Sequence, residues 1–169
     1  MADGKRAIVS SAHLADGASP ALSELEFSLT LAAAAYQRWI VRCAVAAGLT
    51  LAPLEVLILH TVRHRDRAKR IADIALVLDV EDTHLVTYAL RKLERAGLVA
   101  THRAGKDKLV AATDAGRNFC AQYRDVRESV LAAAVVADGP DSARLSDAAD
   151  LLRRLSGQYN QAARAAATL

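Results

Sequence analysis

The chain has 169 residues, 53% of them apolar but only 4% aromatic, and a formal net charge of +3. That length supports one well-formed core, or a small domain plus helices devoted to assembly, and the alanine-rich composition points to aliphatic helix packing. Charges interrupt every apolar run, which excludes a membrane-spanning segment, and two cysteines without metal-type spacing, Cys43 and Cys120, fit a reducing cytoplasm rather than a disulfide framework.

In chain order, residues 1–20 (MADGKRAIVSSAHLADGASP) lack the sustained hydrophobic core of a signal peptide and read as a flexible arm. Ser19 or Ser23 can cap a long helix from about Ala21 to Ala47, which Gly48 ends. Its stripe, Leu22, Leu25, Leu29, Ala32, Tyr36, Ile40, Cys43 and Ala47, is too long to serve only a small domain, so residues 21–48 are read as a dimerisation helix. Thr50 is placed to cap a second helix with Pro53 in its first turn and Leu54, Leu57, Ile58 and Thr61 on its packed face. This helix dissolves into RHRDRAKR, a solvated connector whose Lys69 and Arg70 are also placed to meet phosphates.

The centre of the chain is the most informative. From Arg70 to Val80, Ile71, Ile74, Ala75 and Leu78 mark one face of a short helix, and only Asp79 to Asp82 separate it from the next. Asp82 suits an N-cap, Val86, Ala89, Leu90 and Leu93 form a buried stripe, and Gly97 closes that second helix. Thr83, His84, Thr87, Tyr88, Arg91 and Lys92 fall mostly off the stripe, free to face a partner. Leu98 to Arg103 and Lys108 to Thr113 are extended segments joined by Ala104-Gly105-Lys106-Asp107, a basic hairpin tip. Two helices joined by a tight turn and followed by a hairpin predict a winged helix-turn-helix over residues 49–113. From His60 to Lys108, eleven Lys and Arg stand against seven Asp and Glu, a net of +4 that exceeds the surplus of the whole chain. Such a patch suits a phosphate-binding face.

Residues 114–169 are expected to form C-terminal dimerisation helices. Thr113-Asp114 caps the first, from about Ala115 to Ala137 with Phe119, Tyr123, Val126, Val130 and Ala134 inward, and Ala137-Asp-Gly-Pro-Asp breaks it. The last starts near Ser142 and carries Leu145, Ala148, Leu152, Leu155, Tyr159, Ala162 and Ala166 at alternating spacings of three and four, a seam for helix-on-helix packing.

Few residues suggest other chemistry. His60 and His64 lie one helical turn apart, but no second ligand cluster accompanies them, so no metal and no cofactor are expected. Cys43 and Cys120 have Arg42 and Arg124 nearby and are weak candidates for oxidant sensing, against the plainer reading that they pack like alanine. Tyr36 and Trp39 are weak candidates for lining an effector cavity, or for core. There is no glycine-rich phosphate loop, nucleophile elbow or paired-carboxylate site, so an enzyme is not expected.

The strings IADIALVLDV and VTYALRKLERAGLV, and the TDAG after the hairpin, resemble the MarR family of bacterial transcription regulators over Leu49 to Gly116. The order of the predicted helices extends the likeness to the whole chain. Two departures stand out: Tyr88 occupies a position where the family usually has arginine after the recognition-helix threonine, and the wing has Asp107-Lys108 in place of an Asp-Arg-Arg run. The resemblance implies a mainly α fold with a small β-hairpin wing, flanked by N- and C-terminal dimerisation helices. It also implies a cytoplasmic homodimer that binds double-stranded DNA, with a small organic effector and no membrane partner. Thr83, His84, Thr87 and Tyr88 are then expected near bases, and Arg91, Lys92, Arg103, Lys106, Lys108, Lys69 and Arg70 near phosphates. The competing reading is a winged-helix module that docks a protein. Such a surface favours apolar and aromatic anchors, and Tyr88 is the only aromatic on that face.

Overall fold

A computed structural model describes residues 8–105 and 107–169. They divide into two compact units, the first ending at Arg124 and the second spanning Asp125–Leu169.

The first unit begins with a single helical turn, α1 (Ala12–Ala15), inside the segment expected to be a loose arm. The Ser23 hydroxyl, buried, donates to the Leu14 carbonyl (2.6 Å) and ties this turn to α2 (Pro20–Ala46). Neither candidate serine therefore caps α2 through its side chain: Ser19 occupies the N-cap without a side-chain bond, and Ser23 faces α1. Only the C-terminal half of the predicted stripe is buried, at Ile40, Cys43 and Ala47, while Leu22, Ala32 and Tyr36 are exposed.

Helix α3 (Pro53–Arg63) starts at Pro53 as expected, but Thr50 does not cap it. The Glu55 carboxylate accepts from the Ala52 amide (2.9 Å) instead. Its buried face also differs from the prediction: Glu55, Val56, Ile58, Leu59 and Val62 are buried, whereas Leu54, Leu57 and Thr61 are only half-buried. A helix apolar nearly all round gives period analysis little to choose between faces.

A short 3-10 turn (His64–Asp66) follows, with Arg65 and Asp66 in the left-handed region (φ 59° and 48°). Then comes β1 (Lys69–Arg70), hidden in the charged connector. It pairs antiparallel with the third strand, Lys69 opposite Val110 and Arg70 opposite Leu109. Helices α4 (Ile71–Val77) and α5 (Thr83–Arg95) form the helix-turn-helix, and β2 (Val99–Ala104) and β3 (Asp107–Ala112) the wing, in a sheet of order β1-β3-β2.

Three helices in this region end alike, with paired backbone bonds that satisfy their last carbonyls. Gly48 closes α2, Asp79 closes α4 and Gly97 closes α5, at φ 98°, 53° and 71°. In the last, Leu98 N–H donates to Leu93 O (2.9 Å) and Gly97 N–H to Glu94 O (3.0 Å). Asp79 takes this left-handed position without being glycine, which the sequence alone did not indicate.

Ile58, Leu59, Val62, Ile74, Val86, Leu93 and Val110 are essentially fully buried, joined by Ile40 and Cys43 from α2 and Phe119 from α6 (Asp114–Arg127). Full burial of one such aliphatic side chain contributes about 1.5–3 kcal/mol, so this cluster sets the pose of α5 and the wing. Thr113 fixes the start of α6: its hydroxyl donates to Gly97 O (2.6 Å) and accepts from Gly116 N–H (3.1 Å).

In the second unit the helix expected to run unbroken to Ala137 passes through a π-helical stretch, Glu128–Ala132, before α7 (Ala133–Asp138). The wider turn shifts the helical phase by a residue. Val130 and Ala134, expected inward, are exposed, while Ala132 and Val135 are half-buried. Asp141 caps α8 (Ser142–Ala166), accepting from Arg144 N–H (2.8 Å). No residue of α8 is buried, and Leu145 and Leu152 of its apolar seam are more than 40% exposed.

Candidate nucleic-acid interface

Helix α5 has two sides because its sequence has two patterns. Val86, Ala89, Leu90 and Leu93 are buried as the spacing predicts. The Asp82 carboxylate accepts from His84 N–H (2.9 Å), fixing the helix start. Thr83, His84, Tyr88, Arg91 and Lys92 are exposed and Thr87 is half-buried, so these side chains share the outward side of one rigid element. The Thr87 hydroxyl donates to Thr83 O (3.0 Å), which leaves its methyl and an oxygen lone pair for a partner. Leu85, an apolar residue the stripe analysis leaves unassigned, is 53% exposed on the first turn.

Lys92 is already engaged. Its ammonium meets the buried Glu55 carboxylate at 2.5 Å and stands 5.7 Å from the centre of the Tyr88 ring. The Glu55 hydrogen bond, with the charge behind it, raises the Lys92 pKa. This pair joins α5 to α3, and it gives Glu55 the partner that a buried carboxylate needs. The sequence showed neither residue as a member of a pair, because they lie on different helices.

Lys69 and Arg70 are similarly occupied. The Lys69 ammonium donates to three carbonyls, Val62 O (3.2 Å), His64 O (2.7 Å) and Arg67 O (3.0 Å), stabilising the end of α3. Burial, followed by the Arg67 charge, lowers its pKa. Arg70 Nε pairs with the Asp107 carboxylate of the wing (3.1 Å), so the connector and the hairpin are fastened together.

On the wing, Arg103 lies directly opposite Lys108, and both are exposed. With Glu94, Thr101 and His102 they line an open cleft of about 370 Å³ between the end of α5 and the hairpin. His102 is a basic group on this face that sequence reasoning passed over, since a lone histidine on a strand carries no pattern. Gly105 sits at the tip with φ 63°. Lys106, expected to contact phosphate, lies outside the described residues.

The remaining candidates separate from this face. Tyr36 is exposed and Trp39 half-buried on α2. Cys43 is buried with its thiol 3.6 Å from Tyr123 O, and burial pushes the Cys120 thiol up to about 11, away from the thiolate that oxidant chemistry uses. The His60 ring meets Tyr123 edge-on at 4.6 Å, its Nε2 buried without a hydrogen-bond partner, and burial lowers its pKa. Among the described residues no group of three or more His, Cys, Asp or Glu could hold a metal ion. Nor is any described helix long and apolar enough to cross a membrane.

Comparison with known proteins agrees with this geometry. Residues 51–116 match the winged helix DNA-binding domain family. The fold is similar to that of a MarR-family transcriptional regulator from Rhodococcus sp. RHA1, with a TM-score of 0.64, 20% identity, and coverage of 83% of this chain and 95% of that one. It is also similar to CouR from Rhodococcus jostii RHA1, solved bound to p-coumaroyl-CoA, with a TM-score of 0.62, 18% identity, and coverage of 78% and 90%. A third similar structure is the M. tuberculosis transcriptional regulator MOSR in complex with DNA, with a TM-score of 0.61, 20% identity, and coverage of 78% and 95%. No curated protein matches the sequence. Residues 51–116 thus fold as a winged helix and match the family model of that domain, and the chain has the fold of the MarR-family transcription regulators.

Proposed function

We propose that the protein is a homodimeric, sequence-specific DNA-binding transcription regulator of MarR type whose affinity is set by a small organic effector. The observation that carries this reading is the two-sided α5. Its apolar stripe is locked into the core while Thr83, His84, Tyr88 and Arg91 stand exposed beside the cationic wing. Helix α5 enters the major groove, where Thr83, His84, Thr87 and Tyr88 approach base edges. Arg91, Arg103, Lys106 and Lys108 neutralise phosphates, and Lys92, Lys69 and Arg70 hold the reading surfaces in place through their partners within the domain.

The exposed apolar residues of α2 and the unburied seam of α8 support the dimer, since a second copy is the partner to which such stripes are matched. Two α5 helices then address successive major grooves about 34 Å apart on a pseudo-palindromic site. The p-coumaroyl-CoA held by CouR supports an organic effector, for which Tyr36 and Trp39 are the candidate contacts.

Arg91→Ala and Thr87→Ala test the reading on the same DNA site. Arg91→Ala weakens all sequences alike and lowers the salt slope by about one unit, whereas Thr87→Ala alters base preference. Unchanged affinity and preference in both variants would remove α5 from the DNA contact.

A further inference from the structure

The first turns of α5 present more apolar surface than a DNA-reading helix of polar residues would. Leu85 is 53% exposed and Tyr88 is 63% exposed. The Thr87 hydroxyl proton is taken by Thr83 O, so that residue has no proton left to offer a base. The core does not enclose Leu85: the buried residues of α5 are Val86, Ala89, Leu90 and Leu93, and Leu85 stands exposed at the edge of that stripe. Asp82 pins the helix start one turn before it, which makes the position of Leu85 as well defined as the cap. Residues at the N-terminal end of a recognition helix are the ones that meet base edges. An apolar side chain there has one matching feature in the major groove, the C5-methyl of thymine.

We infer that Leu85 is a specificity-determining residue that packs against a thymine methyl in each half-site, so that the preferred site carries a thymine at that position. This rests on the DNA-reading function proposed above and names part of what is read. Tyr88, whose ring lies 5.7 Å from the Lys92 ammonium held by Glu55, follows Leu85 three residues on.

The test uses the full-length protein and duplexes selected by it from a random-sequence library. Each thymine of the selected site is replaced singly by deoxyuridine, which removes the methyl and leaves the hydrogen-bonding edge intact. Burial of one methyl predicts that one replacement per half-site weakens binding about fourfold. Leu85→Ala abolishes that sensitivity, binding the thymine and deoxyuridine duplexes alike, and Leu85→Met, which keeps apolar reach, retains it. Sensitivity that persists in Leu85→Ala would overturn the inference by assigning the methyl contact to Thr87 or Tyr88. A selected site indifferent to every replacement would overturn it while leaving DNA reading intact. Failure of the library to converge would overturn both.

Discussion

Gly116 offers the most direct test of how the α6 start, the wing and the end of α5 are joined. A Cβ built at this position would stand 2.1 Å from Leu98 O, 3.1 Å from Leu98 C and 3.4 Å from the Leu59 side chain. The first two are backbone atoms and cannot rotate away, so Gly116→Ala must push α6 from the segment that follows α5 by more than an ångström. That movement strains the two bonds that cross this gap, from the Thr113 hydroxyl to Gly97 O (2.6 Å) and from Thr113 N–H to Leu98 O (3.1 Å). Two weakened hydrogen bonds at about 1 kcal/mol each, plus overpacking of about 1–3 kcal/mol, give a loss of roughly 3–5 kcal/mol. Gly97→Ala is the internal control. Nothing lies within 4 Å of its added Cβ, and only the positive φ of 71° opposes it, so it costs about 1–2 kcal/mol. Urea titration followed by circular dichroism measures both. Equal losses in the two variants, or a Gly116→Ala loss under 1 kcal/mol, would refute the close approach of α6 to Leu98.

Thr113→Val keeps the shape of the side chain and removes the hydroxyl that bonds Gly97 O and Gly116 N–H. It is expected to cost about 1–2 kcal/mol in the same titration, and Thr113→Ser less. Acid should destabilise the fold through His60. Burial holds its pKa below the ordinary 6.5, so below that pH the unfolded chain takes up a proton that the folded one refuses. This contribution is fully present above about 6.5 and is lost as pH falls toward the folded value. Urea midpoints at pH 7.5 and 5.5 should therefore diverge, and His60→Leu should reduce the divergence. The buried thiols of Cys43 and Cys120, the latter raised to about 11, should react with a maleimide at pH 7 only at the rate of unfolding. Rapid labelling of the folded protein would contradict their placement.

The parts of the fold that the sequence made legible are those set by local chemistry. The Asp82 cap, the stripe Val86-Ala89-Leu90-Leu93, Gly97 and the hairpin all depend on neighbours in the chain, and each is where the spacing put it. What escaped depends on partners distant in sequence or on degenerate patterns. Strand β1 is two residues long and exists because Val110 and Leu109 lie beside it. The face of α3 was misassigned because apolar residues surround that helix, and the π-helical stretch moved Val130 and Ala134 outward without a Gly or Pro to announce it. The candidate site was legible as a list of exposed residues on α5 and the wing. The roles within that list were not, since the pairing of Lys92 with Glu55, of Lys69 with three carbonyls and of Arg70 with Asp107 appears only when the elements meet.

The most direct test of DNA reading by α5 is fluorescence anisotropy of the purified protein against duplexes tiled from the region flanking its own coding sequence, at two salt concentrations, with scrambled DNA as control. The account predicts tight, salt-dependent binding to one tile with two protomers per site. Weak binding that is equal on every tile and on scrambled DNA, with and without candidate organic effectors, would contradict it.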